Sequence, residues 1–130
     1  MGAIRIEKQL AVFLDNRPGT LARSCQALSK AQINILALSI LDTVDHAVVR
    51  MVVDKPQEAE RVLSGLHAMV QARDVIVMDV ANEPGVLAKI AERLAGAGIN
   101  IEYAYSTSSK EQGALILRTN DLEGAINALS

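Results

Sequence analysis

Residues 16–35 read NRPGTLARSCQALSKAQINI. Residues 82–101, which lie 66 positions later, read NEPGVLAKIAERLAGAGINI. The two stretches share 10 of 20 aligned residues without a gap. Self-similarity at a fixed displacement is typical of a structural unit that occurs more than once in a chain. The sequence therefore predicts two copies of one module, over residues 1–66 and 67–130.

Each copy begins with a short strand and a helix. Apolar residues alternate with less apolar ones over residues 10–14 and again over residues 76–80, as in a half-buried strand. The motif Asn-x-Pro-Gly follows and predicts a helix start, in which Asn16 or Asn82 is the cap and the proline lies in the first turn. A second strand is predicted to begin after each helix.

The remainder of each copy adds a third strand and a second helix. The strand is predicted at residues 46–53 and 113–119, and Asp54 and Asn120 are expected to cap the helix that follows. Strand, helix, strand, strand, helix is most of a split βαβ module. We therefore predict an α+β fold of two tandem ferredoxin-like (βαββαβ) modules, each an antiparallel sheet with its helices on one face.

The fourth strand of each module has two candidate sources. Residues 3–6 align with residues 69–72 in the repeat, and each segment precedes a first strand. One prediction is a permuted module, in which each segment is an edge strand of the copy that it leads. The alternative is that residues 69–72 close the first module, and that the second module lacks a fourth strand or borrows one.

The second strand of the first copy is unusually apolar. Residues 33–41 read INILALSIL, which is apolar on both alternating sets. Such a strand is normally covered on both faces, and a module of about 65 residues has a marginal core by itself. We expect the two modules to pack against each other and the chain to form a homodimer or a larger oligomer.

Composition narrows the class of partner. The 13 basic and 15 acidic residues give a net charge of -2, and the chain has only three aromatic residues. Nucleic-acid binding needs basic faces and, for single strands, aromatic platforms, so we expect no nucleic-acid partner. No apolar run reaches the roughly 18 residues of a membrane span, and no signal peptide is visible. The expected location is the cytoplasm, with no membrane partner.

Catalytic and metal-binding patterns are missing from the sequence. Cys25 is the single cysteine and falls on the apolar face of the first helix, while His46 and His67 lie far apart. The chain has no Gly-x-Ser-x-Gly elbow and no glycine-rich phosphate loop with lysine. We therefore expect no enzyme activity, no metal and no cofactor.

The doubled Asn-x-Pro-Gly loop is the remaining candidate site. The start of a helix presents unpaired N–H groups and a partial positive charge, which suit a carboxylate. Gly19 and Gly85 allow close approach because they have no Cβ, and an asparagine can meet an ammonium or a carboxylate. An α-amino acid carries both groups. The alternative interpretation is that the asparagines only cap helices and shape the start of the second strand.

The pattern Asn-x-Pro-Gly-x-Leu-Ala, followed by Ala-x-Ile-Asn-Ile, resembles the ACT domain. That domain is the small regulatory βαββαβ module of aspartate kinase, serine-regulated phosphoglycerate dehydrogenase and the regulatory subunits of acetohydroxyacid synthase. The resemblance covers both copies, roughly residues 9–130, and is greatest to small stand-alone bacterial proteins with two tandem ACT modules. It implies binding of a free amino acid without catalysis.

In the serine-sensing members of that family, one asparagine in the first loop and another opening the second strand hold the effector across a module interface. Those relatives also have a histidine two residues before the loop asparagine, where this chain has Leu14 and Val80, so serine itself is not expected. The resemblance and the loop chemistry together give ten candidate ligand-binding residues: Asn16, Arg17, Pro18, Gly19, Asn34, Asn82, Glu83, Pro84, Gly85 and Asn100.

The two loops differ in charge, because Arg17 lies where the second copy has Glu83. Arg17 could attract a second carboxylate and Glu83 would repel it, so unequal ligand preferences are expected. The leading hypothesis is an amino-acid-sensing regulator that acts on an enzyme. The alternative is a structural association module, or a regulatory subunit of an amino-acid biosynthetic enzyme (acetohydroxyacid synthase-like), without a ligand of its own.

Overall fold

A computed structural model describes residues 2–43 and 45–130 of the chain. Strands and helices follow the order expected from the repeat. They are β1 (Ile4–Asp15), α1 (Thr20–Lys30), β2 (Ile35–Asp42), β3 (His46–Val53), α2 (Pro56–Ser64), β4 (Met69–Ala81), α3 (Val86–Gly96), β5 (Ile101–Ser108), β6 (Gln112–Thr119) and α4 (Leu122–Leu129). The predicted α+β fold of two ferredoxin-like modules is confirmed.

The chain divides into two compact units. The first unit is Lys8–Arg73, and the second unit combines residues 2–7 with Asp74–Ser130. In the first unit β3 pairs antiparallel with both β2 and β1. In the second unit β6 pairs antiparallel with both β5 and β4 in the same way.

Each unit obtains its fourth strand from a strand that it shares with the other unit. In the second unit the N–H of Gly2 donates to the carbonyl of Asp79 at 3.1 Å, and Arg5 forms an ion pair with Asp79 at 3.0 Å. In the first unit the opening residues of β4, 69–73, lie beside β1. The permuted order expected from the sequence is therefore wrong. The structure has the alternative arrangement, in which residues 69–72 close the first unit and the second unit borrows residues 4–7.

The core of each unit lies between one face of the sheet and two helices. The helix residues at its centre occupy equivalent positions of the repeat and are almost completely buried. In the first unit they are Leu28, Ala59 and Leu63, and in the second Leu94, Ala125 and Leu129. The repeat therefore preserves the positions that exclude water, which supply most of the favourable free energy of folding.

The second helix of each unit does not begin as the sequence suggested. Lys55 is the N-cap of α2 without a side-chain bond, and Asp121 caps α4 by accepting from the N–H of Gly124. The side chains of Asp54 and Asn120 accept instead from the N–H groups of the residues that directly precede β2 and β5. The capping prediction was wrong because these side chains bind a neighbouring strand.

Candidate ligand-binding loops

The loop between β1 and α1 is fixed by Asn16, but not as a helix cap. Its Nδ2 donates to the Oδ1 of Asp42 at 2.5 Å and to the carbonyl of Thr43 at 3.1 Å. Its backbone N–H donates to the carbonyl of Asp45 at 3.1 Å. Asn16 therefore fastens the loop to the turn between β2 and β3, and its predicted capping role is wrong.

The loop between β4 and α3 repeats this arrangement at equivalent positions. The Nδ2 of Asn82 donates to the carbonyl of Ser109 at 2.9 Å and to that of Lys110 at 3.4 Å. Its N–H donates to the carbonyl of Glu111 at 2.9 Å. The same residue type thus makes the same attachment twice, and Asn82 is not a cap either.

The hydrogen bonds fix the orientation of both asparagine amides. The partners of each Nδ2 are carbonyl or carboxylate oxygens, which can only accept, so the nitrogen must face the hairpin turn. No residue in 2–43 or 45–130 donates to the Oδ1 of Asn16 or Asn82 in the structure. Each loop therefore retains an acceptor that can meet an ammonium group.

Gly19 and Gly85 are the N-caps of α1 and α3. Their φ angles are 90° and 88°, in the left-handed region that glycine adopts without strain. A Cβ at either position would meet nothing within 4 Å, so the space beside both glycines is open. Pro18 and Pro84 each precede the cap and lie outside the helix, contrary to the expectation of proline in the first turn.

The first turns of α1 and α3 lack a side-chain cap among the described residues. The first N–H groups of a helix have no intrahelical partner and carry a partial positive charge. In α1 the N–H of Thr20 donates to the carbonyl of Arg17 at 3.4 Å, which leaves the next two N–H groups of the first turn open. Each loop therefore has open N–H donors as well as an asparagine acceptor. This combination can hold the carboxylate and the ammonium of one small molecule.

The charged residues of the two loops are exposed. Arg17 pairs with Asp15 at 3.1 Å, and 71% and 60% of the two side chains are accessible. Glu83 is exposed, and its N–H donates to the carbonyl of Ala81 at 3.0 Å. The loops thus differ in charge where the sequence indicated, on side chains that remain accessible to a ligand.

Asn34 and Asn100 directly precede β2 and β5, at the end of each strand that is remote from the loop asparagine. Asn34 precedes β2, and its backbone exchanges hydrogen bonds with Asp54, while Asn100 does the same with Asn120. The eight steps from residue 34 to residue 42 span about 26 Å at roughly 3.3 Å per residue. Within one unit the structure therefore does not bring Asn34 close to Asn16, and the same holds for the second pair.

Each unit has a small cavity at its loop. The cavity of the second unit, about 170 Å³, is lined by Asn82, Glu83, Val86, Leu87 and residues 106–108. A cavity of about 200 Å³ in the first unit is lined by Arg17 and Thr20 among other residues. Both volumes suit a small metabolite, since pockets for drug-sized ligands measure roughly 300–1,000 Å³.

The family follows from a match over nearly the whole chain. Residues 5–129 match the family described as the ACT domain pair. The chain belongs to the ACT domain pair family. The resemblance inferred from the repeated loop is therefore confirmed. No curated protein matches the chain at a significant level.

Solved structures with the ACT pair fold cover almost all of this chain. Protein BT0572 from Bacteroides thetaiotaomicron is 32% identical, with a TM-score of 0.92 over 97% of this chain and 88% of its own. The regulatory subunit of aspartate kinase from Thermus thermophilus is 21% identical, with a TM-score of 0.73 over 97% and 93%. That from Thermus flavus is 22% identical, with a TM-score of 0.69 over 99% and 95%. The two aspartate kinase subunits therefore have the same fold as this chain.

Sequence reasoning missed the hairpin residues that hold the ACT loops. Thr43 and Ser109 occupy equivalent repeat positions, and each hydroxyl donates to the carbonyl three residues later, at 2.6 and 2.8 Å. Their carbonyls accept the loop asparagines. The available signal was a hydroxyl residue at the same position of both copies. A comparison of the copies for identical residues did not reveal it, because Thr43 aligns with Ser109 and the two residue types differ.

The described residues contain neither a cluster of side chains that could bind a metal ion nor a helix that could cross a membrane. Among residues 2–43 and 45–130, no three His, Cys, Asp or Glu residues lie close enough to hold a metal ion. Within those ranges no helix has the length and apolar character needed to cross a membrane.

Proposed function

We propose that this ACT domain pair is a small cytoplasmic regulatory protein that binds free amino acids at its two loops and catalyses no reaction. The observation that carries the proposal is the loop geometry built twice. Each unit has an asparagine oxygen without a donor among the described residues, an open glycine and a helix start without a side-chain cap. A small cavity reaches Arg17 and Thr20 of the first loop, and another reaches Asn82, Glu83 and Val86 of the second.

The chemistry of recognition divides between backbone and side chain. The open N–H groups at the start of α1 or α3 bind the α-carboxylate, because the start of a helix is a favourable place for an anion. The Oδ1 of Asn16 or Asn82 accepts from the α-ammonium, while Nδ2 stays on the hairpin turn. The ligand side chain enters the cavity. This arrangement predicts that both the ammonium and the carboxylate are required for binding.

A homodimer completes the sites in this proposal. The exposed apolar residues Leu36, Leu38 and Ile40 lie on β2, which is an edge strand with no charged residue from Ile35 to Leu41. Exposed apolar edges favour pairing with another strand. Two copies of one strand related by a two-fold axis pair antiparallel. Such pairing places Asn34 of one chain beside Asn16 of the other.

Regulation requires that the ligand bind one conformation better than another. Similarity in fold to regulatory subunits of aspartate kinase supports an enzyme as the regulated partner.

A second candidate function is an association module without a ligand of its own. The apolar β2 edge favours it, because edge pairing needs no effector.

A thermal-shift screen against the free proteinogenic amino acids tests the proposal. A ligand at 100 times its dissociation constant adds about 2.7 kcal/mol to the free energy of unfolding, so at least one amino acid should raise the melting temperature by several degrees. The N-acetyl and the carboxamide derivatives of that amino acid are the controls and should have no effect. If no amino acid shifts the melting temperature at millimolar concentration, the association module becomes the better account.

A further inference from the structure

The cavity of the first unit lies where α1 begins, between the end of β1 and the turn from α2 to β4. Its lining includes Arg17, Arg23, Ser24 and His67. All of its lining residues belong to the Lys8–Arg73 unit. Two of the four named side chains are arginines, which sets this cavity apart from that of the second unit.

Ser24 explains why space exists at this place. It is 3% exposed on the inner face of α1, and its repeat counterpart in α3 is Ile90, which is completely buried. Serine is mostly found on protein surfaces, so a buried serine in place of isoleucine replaces core volume with a hydroxyl. The Oγ of Ser24 donates to the carbonyl of Thr20 at 3.1 Å, and its lone pairs remain available to accept.

The charge of the lining favours an anion. Asp15 is the one carboxylate among the described lining residues, and Arg17 already pairs with it at 3.1 Å. Within residues 2–43 and 45–130, no carboxylate lies within salt-bridge distance of Arg23. The lining is therefore net positive.

Arginine is suited to carboxylate recognition because its planar guanidinium donates two parallel hydrogen bonds to the two oxygens. Arg23 offers this fork to one carboxylate at a cavity of about 200 Å³, and Arg17, although paired with Asp15, adds positive charge for a second carboxylate on the same small molecule. The second unit has Glu83 at the position equivalent to Arg17 and Ile90 at that of Ser24, so its loop lacks the same combination.

We propose that the cavity of the first unit binds a small dicarboxylate, which in the sensing role proposed above is an acidic amino acid. The choice of an amino acid rests on the proposed function. The dicarboxylate preference rests on the cavity itself. The acidic side chain or second carboxylate lies toward Arg23 and the buried hydroxyl of Ser24, and Arg17 closes the outer side.

Isothermal titration calorimetry on the full chain tests this inference. The ligands are L-aspartate, L-glutamate and succinate, with L-asparagine, L-glutamine and inorganic phosphate for comparison. We expect a dicarboxylate to bind at least tenfold more tightly than the amides and phosphate. Arg23→Gln should weaken that binding tenfold or more, and Ser24→Ile, which fills the cavity as in the second unit, should abolish it.

Lys89→Gln is the matched control, because Lys89 is the repeat counterpart of Arg23 and does not line either cavity. It should leave dicarboxylate affinity unchanged. Equal affinity for the amides or phosphate, unchanged affinity in Arg23→Gln, or the absence of dicarboxylate binding would overturn the inference. Arg23 is exposed, so its variant remains informative if Ser24→Ile fails to fold.

The outcomes also separate this inference from the proposed function. Binding of neutral amino acids alone overturns the dicarboxylate cavity and leaves amino-acid sensing in place. Binding of succinate without any amino acid supports the cavity and contradicts sensing of amino acids.

Discussion

Replacing the loop asparagines by alanine should destabilise the fold unequally. Asn16 donates to a carboxylate at 2.5 Å and to a carbonyl at 3.1 Å, whereas Asn82 donates to two carbonyls at 2.9 and 3.4 Å. A neutral hydrogen bond contributes about 0.5–1.5 kcal/mol and one to a charged group about 1.5–3 kcal/mol. Since both loops are exposed, we expect a loss of about 2 kcal/mol for Asn16→Ala and about 1 kcal/mol for Asn82→Ala.

Urea unfolding at 25 °C measures these losses as shifts of the midpoint at constant slope. Asn34→Ala is the internal control, because the hydrogen bonds of Asn34 with Asp54 are made by its backbone, and its side chain is exposed. That variant should change the free energy of unfolding by less than about 0.5 kcal/mol.

The contribution of Asp42 can be isolated by a double-mutant cycle with Asp42→Ala. We expect a coupling energy of about 1 kcal/mol between Asn16 and Asp42, as for other directly hydrogen-bonded neighbours. Equal stability of Asn16→Ala and the wild type would refute the account of how the loop is held. A coupling energy of zero would instead assign the loss to the carbonyl of Thr43 alone.

Four further changes test other parts of the structure. Gly85→Ala places a residue with a Cβ in the left-handed region and should lower the free energy of unfolding by about 1–2 kcal/mol. Gly96→Ala, at the last residue of α3, should raise it by up to about 0.5 kcal/mol. Thermal denaturation of both variants measures the two changes. Deleting residues 1–7 should reduce hydrogen-exchange protection in β6 more than in β3, and the reverse order would contradict the borrowed strand. Leu38→Lys should convert the proposed dimer to a monomer in light scattering. Its far-ultraviolet circular dichroism spectrum should stay unchanged, because the side chain is 39% exposed and lies outside the core.

The sequence predicted the modules and their elements because apolar periodicity is a local property. Core positions such as Leu28 and Leu94 recur at the repeat distance, and all four helices and the first three strands of each module are found. The source of the fourth strand could not be predicted. Residues 3–6 and 69–72 have the same local pattern, and only pairing over long separations distinguishes the two arrangements.

The candidate site was predicted in place but not in detail. Gly19 and Gly85 are positioned as expected from the need for a residue without a Cβ. The roles of Asn16 and Asn82 were misread because an asparagine before a helix usually binds the helix N–H groups. Here the hairpin turn, 26 to 29 residues later in the chain, offers carbonyls that lie nearer, a contact that local propensity does not contain.

The central claim is that the two loops bind free amino acids, and a titration of the nitrogen-15-labelled protein with the proteinogenic amino acids tests it most directly. The amide resonances of Gly85, Val86 and Leu87, together with that of Gly19, report on the open helix starts. The account predicts that at least one amino acid shifts one of these two sets in a saturable manner, and that its N-acetyl derivative does not. Saturable shifts confined to residues away from both loops, or no shifts with any amino acid, would contradict it.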